Sequence, residues 1–272
     1  MAKNPDLRDA LRVAPRERVD LAKHDPAATF GWKKAGAEEE TAKQLDRLTD
    51  LQDRLWAEGR RKVLVVLQGI DAAGKDGTIR RVMTAFNPQG CVVASFKVPT
   101  PEELAHDFLW RIHRRVPGSG EIGIFNRSHY EDVLVVRVHE LVPKAVWSKR
   151  YRLIRDFERH LTNTGTTIVK FFLYIDRDEQ RQRFQERFDD PKKRWKFSLG
   201  DLAERKLWDK YIAAYEDALS ETSTDNAPWY VIPANRNWLR NLAVASILAD
   251  TIDDLKPQYP APEELPPDLV IE

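Results

Sequence analysis

Residues 62–86 read KVLVVLQ, GIDAAGK and DGTIRRVMTAF: a nearly unbroken apolar run, a glycine-bounded loop ending in lysine, and a helix-forming stretch in direct succession. A strand that ends in G-x-x-x-x-G-K and turns straight into a helix sends the chain back across a sheet toward a parallel neighbour. In such a loop Gly69 and Gly74 permit tight turns, and the amides of Ala72, Ala73, Gly74, Lys75, Asp76 and Gly77 face inward as anion donors. The helix N-terminus adds the positive end of its dipole and Lys75 a mobile cation, so the loop is expected to cradle a chain of phosphates. A strand-to-helix turn carrying a lysine by chance is the competing reading. The dinucleotide pattern G-x-G-x-x-G is absent.

The remaining apolar runs extend the same architecture. CVVASF (91–96), EIGIFN (121–126), TIVKFFLYI (167–175) and WYVIP (229–233) alternate with helical stretches, which predicts a five-stranded, mostly parallel sheet buried on both faces by helices. Upstream, Leu45, Leu48, Leu51, Leu55 and Trp56 recur at helical spacing, predicting an amphipathic helix over 38–58. Residues 1–36, broken by Pro5, Pro15 and Pro26, read as an irregular, partly helical extension, and the proline-rich tail 257–272 as extended. The expected organisation is an N-terminal extension and helix (1–60), a core (61–256) and the tail (257–272). The 44 Lys and Arg nearly cancel the 43 Asp and Glu, so no global field draws the molecule to nucleic acid or a membrane, and anion binding is local. The single cysteine, Cys91, excludes an intrachain disulfide or a cysteine-rich metal site. The N-terminus lacks the apolar stretch of a secretory signal and no run approaches the roughly 20 apolar residues of a membrane span. A cytoplasmic, soluble protein is expected.

Two residues depart from the usual loop pattern. Asp76 stands where a magnesium-binding Ser or Thr normally follows the lysine, and Asp71 lies inside the loop. A bare carboxylate 4 Å from a phosphate charge would repel it by about 4 kcal/mol at an effective dielectric of 20. Asp71 is therefore expected to hold Mg2+ against the phosphate oxygens, or alternatively to shape the loop by bonding its amides. Asp76 is expected to cap the helix. The third strand runs into FNRSHYEDVLVVRVHE (125–140), placing Asn126, Arg127 and Glu131 at the carboxyl end of a strand, where ligands of such sheets bind. Arg127 is read as a phosphate clamp, with Arg137 reaching the same place if the segment is helical, and Glu131 as an acceptor that bonds a sugar hydroxyl or exocyclic amine or orients an arginine. Surface ion pairs are the plainer alternative. Residues 181–196 carry seven Lys or Arg against three Asp or Glu. Arg187, Lys193 and Lys196 there are read as phosphate donors on a mobile cover spanning 177–210, with a solvated charged helix as the alternative. In WRIHRR (110–115), Arg111 is the residue expected to face the site. His113, His129 and His139 lack the spacing of metal ligands.

GIDAAGKDGT, NPQG (87–90), GEIGIFNRSHYEDV (120–133), DDPKKRWKFS (189–198) and APWYVIPANRNW (227–238), in this order, resemble the family-2 polyphosphate kinases over roughly residues 30–256. The resemblance implies a P-loop kinase three-layer sandwich similar to thymidylate kinase, with a Walker A loop at Gly69–Lys75, a Walker B-type motif around Asn126–Tyr130 and a helical lid carrying Arg187, Lys193 and Lys196. It also implies Mg2+-assisted transfer between inorganic polyphosphate and nucleotides. Many members read RSWYNR where this chain reads RSHYED; the change to Glu131 and Asp132 is similar to the class III branch, which implies AMP and ADP as acceptors, with guanine nucleotides as further candidates. Asn126 stands where many relatives carry aspartate, so an orienting role is expected there rather than a metal bond. The extension and flanking helices predict a homo-oligomer, a dimer or tetramer. Two rival functions stay open on the residues: an ATP-dependent nucleoside monophosphate kinase, and a polyanion- or RNA-binding protein.

Overall fold

Five strands, β1 (Lys62–Gln68), β2 (Cys91–Ser95), β3 (Ile122–Asn126), β4 (Thr166–Tyr174) and β5 (Trp229–Pro233), make one sheet in the computed structural model, which describes residues 5–264. The order is β2-β3-β1-β4-β5 and every pairing is parallel. Val63 to Leu67 have no accessible surface, as befits a central strand covered by helices on both faces. The register sets Leu67 of β1 beside Asn126 of β3, and Gln68 beside Phe172 of β4. The loops after β1 and β3 therefore emerge side by side at the carboxyl edge.

β2 departs from the expected double burial. Val92 and Val93 are 41% and 49% exposed because β2 is the sheet's outermost strand, with β3 as its one neighbour. The opposite edge is closed by the N-terminal segment: Arg12 forms an antiparallel bridge with Tyr230, and the Val13 amide donates to the Trp229 carbonyl at 2.9 Å. The long helix begins at Lys34, four residues before the expected start, and runs to Glu58. It buries Ala37, Leu48, Leu51 and Leu55 and packs along the Asn237–Asp253 helix. Trp56, expected on the apolar stripe, is 45% exposed. It serves the NPQG turn: a Cβ on Gly90 would lie 3.0 Å from the Trp56 ring. Gln52 of the same helix accepts from the Asn87 amide at 3.0 Å.

Beneath the turn after β3 lies a buried polar network. Lys170 of β4 donates to Glu158 (2.7 Å), the Tyr130 hydroxyl (2.8 Å) and the Thr222 carbonyl (2.8 Å). Glu158 also meets the Tyr130 hydroxyl at 2.8 Å and His129 Nε2 at 3.1 Å. Burial alone would raise the Glu158 carboxyl; Lys170 and His129 outweigh it and hold it below the usual carboxylate range. Burial lowers Lys170 and His129. His129 Nδ1 has no partner, consistent with a neutral ring. The network thus pins His129 and Tyr130, two of the three residues between Arg127 and Glu131.

Two expectations follow. Lys170→Met leaves Glu158 buried without its counter-charge and should lower stability by about 3–5 kcal/mol, read from the urea midpoint, with part recovered in Lys170→Met/Glu158→Leu. Because the folded His129 ring resists protonation, the unfolded chain binds the proton first as pH falls below about 6.5, so stability declines there. His129→Gln should flatten that part of the stability–pH profile.

Candidate active site

The Gly69–Lys75 loop closes on itself by close backbone approach. A Cβ on Gly69 would lie 2.8 Å from the Leu173 carbonyl of β4 and 2.9 Å from Ala73 Cβ, which leaves glycine alone. Ala72 (φ 68°) and Gly74 (φ 105°) take the left-handed conformation, and the helix starts at Lys75. The Lys75 ammonium folds back over the loop mouth onto the Gly69 carbonyl at 2.5 Å. Burial lowers its pKa, opposed by the Asp71 charge. On the outer side Arg183 donates to the carbonyls of Ala72 (2.9 Å) and Ala73 (3.1 Å), and Gln180 to that of Asp71 (3.0 Å). With carbonyls engaged outside, the loop keeps a concave backbone of the kind that can receive an anion.

Across from the loop, Arg127 also adopts a left-handed conformation (φ 62°) while its amide bonds the Leu67 carbonyl at 3.0 Å. That backbone costs on the order of 1 kcal/mol for a non-glycine residue and aims the guanidinium at Asp71, 3.2 Å away. Glu131 lies 3.9 Å from the same guanidinium and accepts from Gln68 Nε2 at 3.1 Å; burial raises its pKa, with Arg127 opposing. Asp76 does not cap the helix. Gly74 occupies the cap position, so Asp76 falls one place inside the first turn and its carboxylate accepts from Asn126 Nδ2 at 2.9 Å. Of the two acidic residues in RSHYED, Glu131 alone faces this space. Asp132 turns away to Arg150 at 2.8 Å, and burial pushes its carboxyl up to about 6.

Gly69, Asp71, Arg127 and Glu131 share one cavity of about 210 Å3 with an aromatic wall, Trp208, Tyr211 and Tyr215, and an apolar floor of Leu134 and Val135. At its rim Glu204 accepts from the Tyr211 hydroxyl at 2.7 Å and meets His139 Nε2 at 3.0 Å. A polar end of loop, arginine and carboxylates joined to an aromatic end suits a phosphorylated aromatic ligand.

Five expected basic residues do not line this cavity. The segment after β3 is not one continuous helix but a short turn (His129–Asp132) and a separate single turn (Val135–Val138), so Arg137 swings away to Asp217 (2.7 Å) and the Tyr151 hydroxyl (3.0 Å). There it lines a larger cavity of about 630 Å3 with Trp147, which lacks the phosphate loop. Arg111 is buried, donating to the Lys97 carbonyl at 2.8 Å and lying 3.6 Å from Glu103. Its charge is spent on the chain that follows β2. Arg187 sits over the Phe184 ring, Lys193 pairs with Asp190 at 3.0 Å, and Lys196 lies over Trp195. None of these three lines the cavity beside the loop. Among the described residues, no group of three or more His, Cys, Asp or Glu could hold a metal by itself. Gln68, Gln180, Arg183 and the aromatic wall were not found from the sequence. Only Arg183 gave a signal there, as one charge among many.

The polyphosphate kinase 2 (PPK2) family profile matches residues 31–260. The chain is 59% identical to the AMP/ADP-polyphosphate phosphotransferase of Meiothermus ruber over 96% of its own length and 98% of that protein's. It is 50% identical to the ADP-polyphosphate phosphotransferase of Rhodopseudomonas palustris, covering 92% and 91% of the two chains. The crystal structure of polyphosphate kinase 2 from Arthrobacter aurescens TC1 superposes with a TM-score of 0.92 at 44% identity, covering 100% of this chain and 95% of that one. With its phosphate loop, its parallel sheet and these relatives over nearly its whole length, the chain belongs to the polyphosphate kinase 2 family.

Proposed function

We propose that this enzyme transfers the terminal phosphoryl group of inorganic polyphosphate to AMP and ADP, reversibly, forming ADP and ATP. The observation that carries the reading is the convergence of Asp71, Arg127 and Glu131 on one cavity with an aromatic wall, beside the loop whose Lys75 ammonium folds onto the Gly69 carbonyl. The loop amides and Lys75 hold the donor phosphates, Arg127 spans donor and acceptor phosphates, and Glu131 with Trp208 and Tyr211 receives the acceptor nucleoside. The acceptor phosphate is already ionised, so in-line transfer needs no strong general base. Positioning and charge neutralisation supply the catalysis. Asn126 orients Asp76 and the first turn of the helix.

Asp71 fits Mg2+, which favours one or two carboxylates plus substrate phosphates and waters over a cage of protein ligands. When bound there, the metal supplies electrophilic neutralisation of charge on the transferring phosphoryl group. Residues 177–210 act as a lid, with Arg187, Lys193 and Lys196 brought onto the phosphates at closure. The same reading includes guanine nucleotides as further acceptors, a homo-oligomer, a cytoplasmic location, and a division into an extension (1–60), a core (61–256) and a tail. Residues 265–272 of that tail lie outside the described residues.

A matrix of donors (polyphosphate, ATP) and acceptors (AMP, ADP, GMP, GDP) with and without Mg2+ tests the reading. Polyphosphate with AMP should give ADP and then ATP, EDTA should abolish turnover and excess Mg2+ restore it. Phosphorylation of AMP by ATP alone would favour a nucleoside monophosphate kinase instead. Lys75→Ala should lower kcat at least about 100-fold, and a near-normal rate would remove the loop from the mechanism. Glu131→Gln should raise KM for the nucleotide about tenfold while KM for polyphosphate stays within about twofold.

A further inference from the structure

A second basic groove lies on the outer side of the phosphate loop. Its cavity, about 510 Å3, is lined by Lys34, Arg81 and Arg236 with Asn235, Asn237 and Asn241. Glu38 is the one acid in the lining, and it lies 3.9 Å from Lys34. Among the described residues Arg81 and Arg236 have no carboxylate within 4.0 Å, a surplus of positive charge facing solvent. Two long helices, Lys34–Glu58 and Asn237–Asp253, also begin at this groove without a side-chain cap, so their positive dipole ends and free amides point the same way.

The groove connects physically to the phosphate loop through Arg240, which is only 4% exposed. Its guanidinium is wedged against the loop, NH1 2.1 Å from where a Cβ on Gly74 would stand and NH2 3.3 Å from that on Gly77. On its other side it donates to the groove residues Asn237 (2.7 Å) and Asn241 (2.9 Å). No described carboxylate neutralises it, and burial, with Arg183 adding to it, lowers its pKa to about 10. The Asn237 side-chain oxygen also receives Arg183 at 3.4 Å, the residue that grips the Ala72 and Ala73 carbonyls. Arg240, Arg236 and Arg81 thus carry unpaired positive charge from the loop to the groove, while Arg183, paired with Glu179 at 2.6 Å, braces the loop's outer wall. A buried cation without a counter-ion is costly, and an anion laid beside Arg240, Arg236 and Arg81 would offset that cost.

We infer that the groove at Lys34, Arg81 and Arg236 binds distal phosphates of the polyphosphate chain whose terminal group sits in the Gly69–Lys75 loop. The inference rests on the proposed donor. It predicts that affinity grows with chain length until the chain reaches the groove. Steady-state kinetics with AMP and Mg2+ across a series running from tripolyphosphate to long-chain polyphosphate tests it. In the unaltered protein KM per chain should fall with length and then level off. Arg81→Ala/Arg236→Ala should raise KM for the long chains about tenfold, with less than twofold change for the shortest chain that is turned over, and Arg236→Glu should exceed Arg236→Ala. An unchanged KM for long chains, or an equal loss at every length, overturns the groove. Absence of turnover with any polyphosphate in the unaltered protein overturns the donor assignment, so the two failures are distinct.

Discussion

The site depends on which way one stretch of backbone faces. Arg183 takes the carbonyls of Ala72 and Ala73 on the outside of the loop, and its second terminal nitrogen takes those of Ala234 and Asn235 beyond β5. One guanidinium thereby joins the loop after β1, the turn after β5 and the helix that starts the basic segment. Its planar fork suits this, since two terminal nitrogens can serve different backbone segments at fixed angles. Glu179, one turn earlier on the same helix, accepts from Arg183 Nε at 2.6 Å and fixes its approach. The position of the phosphate loop and the position of the basic segment are in this sense one constraint.

The opposite wall is held by different means. Arg127 keeps its conformation because the following residues are anchored from below: His129 and Tyr130 reach Glu158, itself held by Lys170. The turn therefore has a rigid, buried foundation and two groups that face the cavity, Arg127 half-exposed and Glu131 largely covered. Three buried side chains, Ser128, His129 and Tyr130, thus separate the two that line the cavity. The two walls meet at Asp71, which touches Arg127 and leaves its carboxylate part-exposed beside the loop.

The fold was readable in outline because a parallel sheet writes itself as apolar runs separated by helices, and the loop because its glycines sit where backbones collide. What resisted reading was anything that depends on direction. CVVASF looks as buried as its neighbours, yet its strand is the outermost. Arg111, Arg137 and Arg183 are equally charged on paper; one is buried, one pairs with Asp217 and one becomes a brace, and a break after Asp132 decides the second case. Trp208, Tyr211 and Tyr215 lie on one helical stripe, the pattern of an ordinary core face, and only the space left beside the loop turns them into a wall. Lys170, inside an apolar strand, was the one visible anomaly of the buried network.

The N-terminal segment along β5 has an effect beyond tidying an edge. A sheet can recruit further sheets indefinitely only if both of its borders accept hydrogen bonds. Here Arg12 and Val13 occupy one border, leaving β2 with its half-exposed valines as the single vacant one among the described residues. Pairing of β2 with the β2 of a second copy would be a self-complementary contact that ends at two copies. The segment at Arg12 and Val13 thereby guards one border of the sheet and leaves the other to β2.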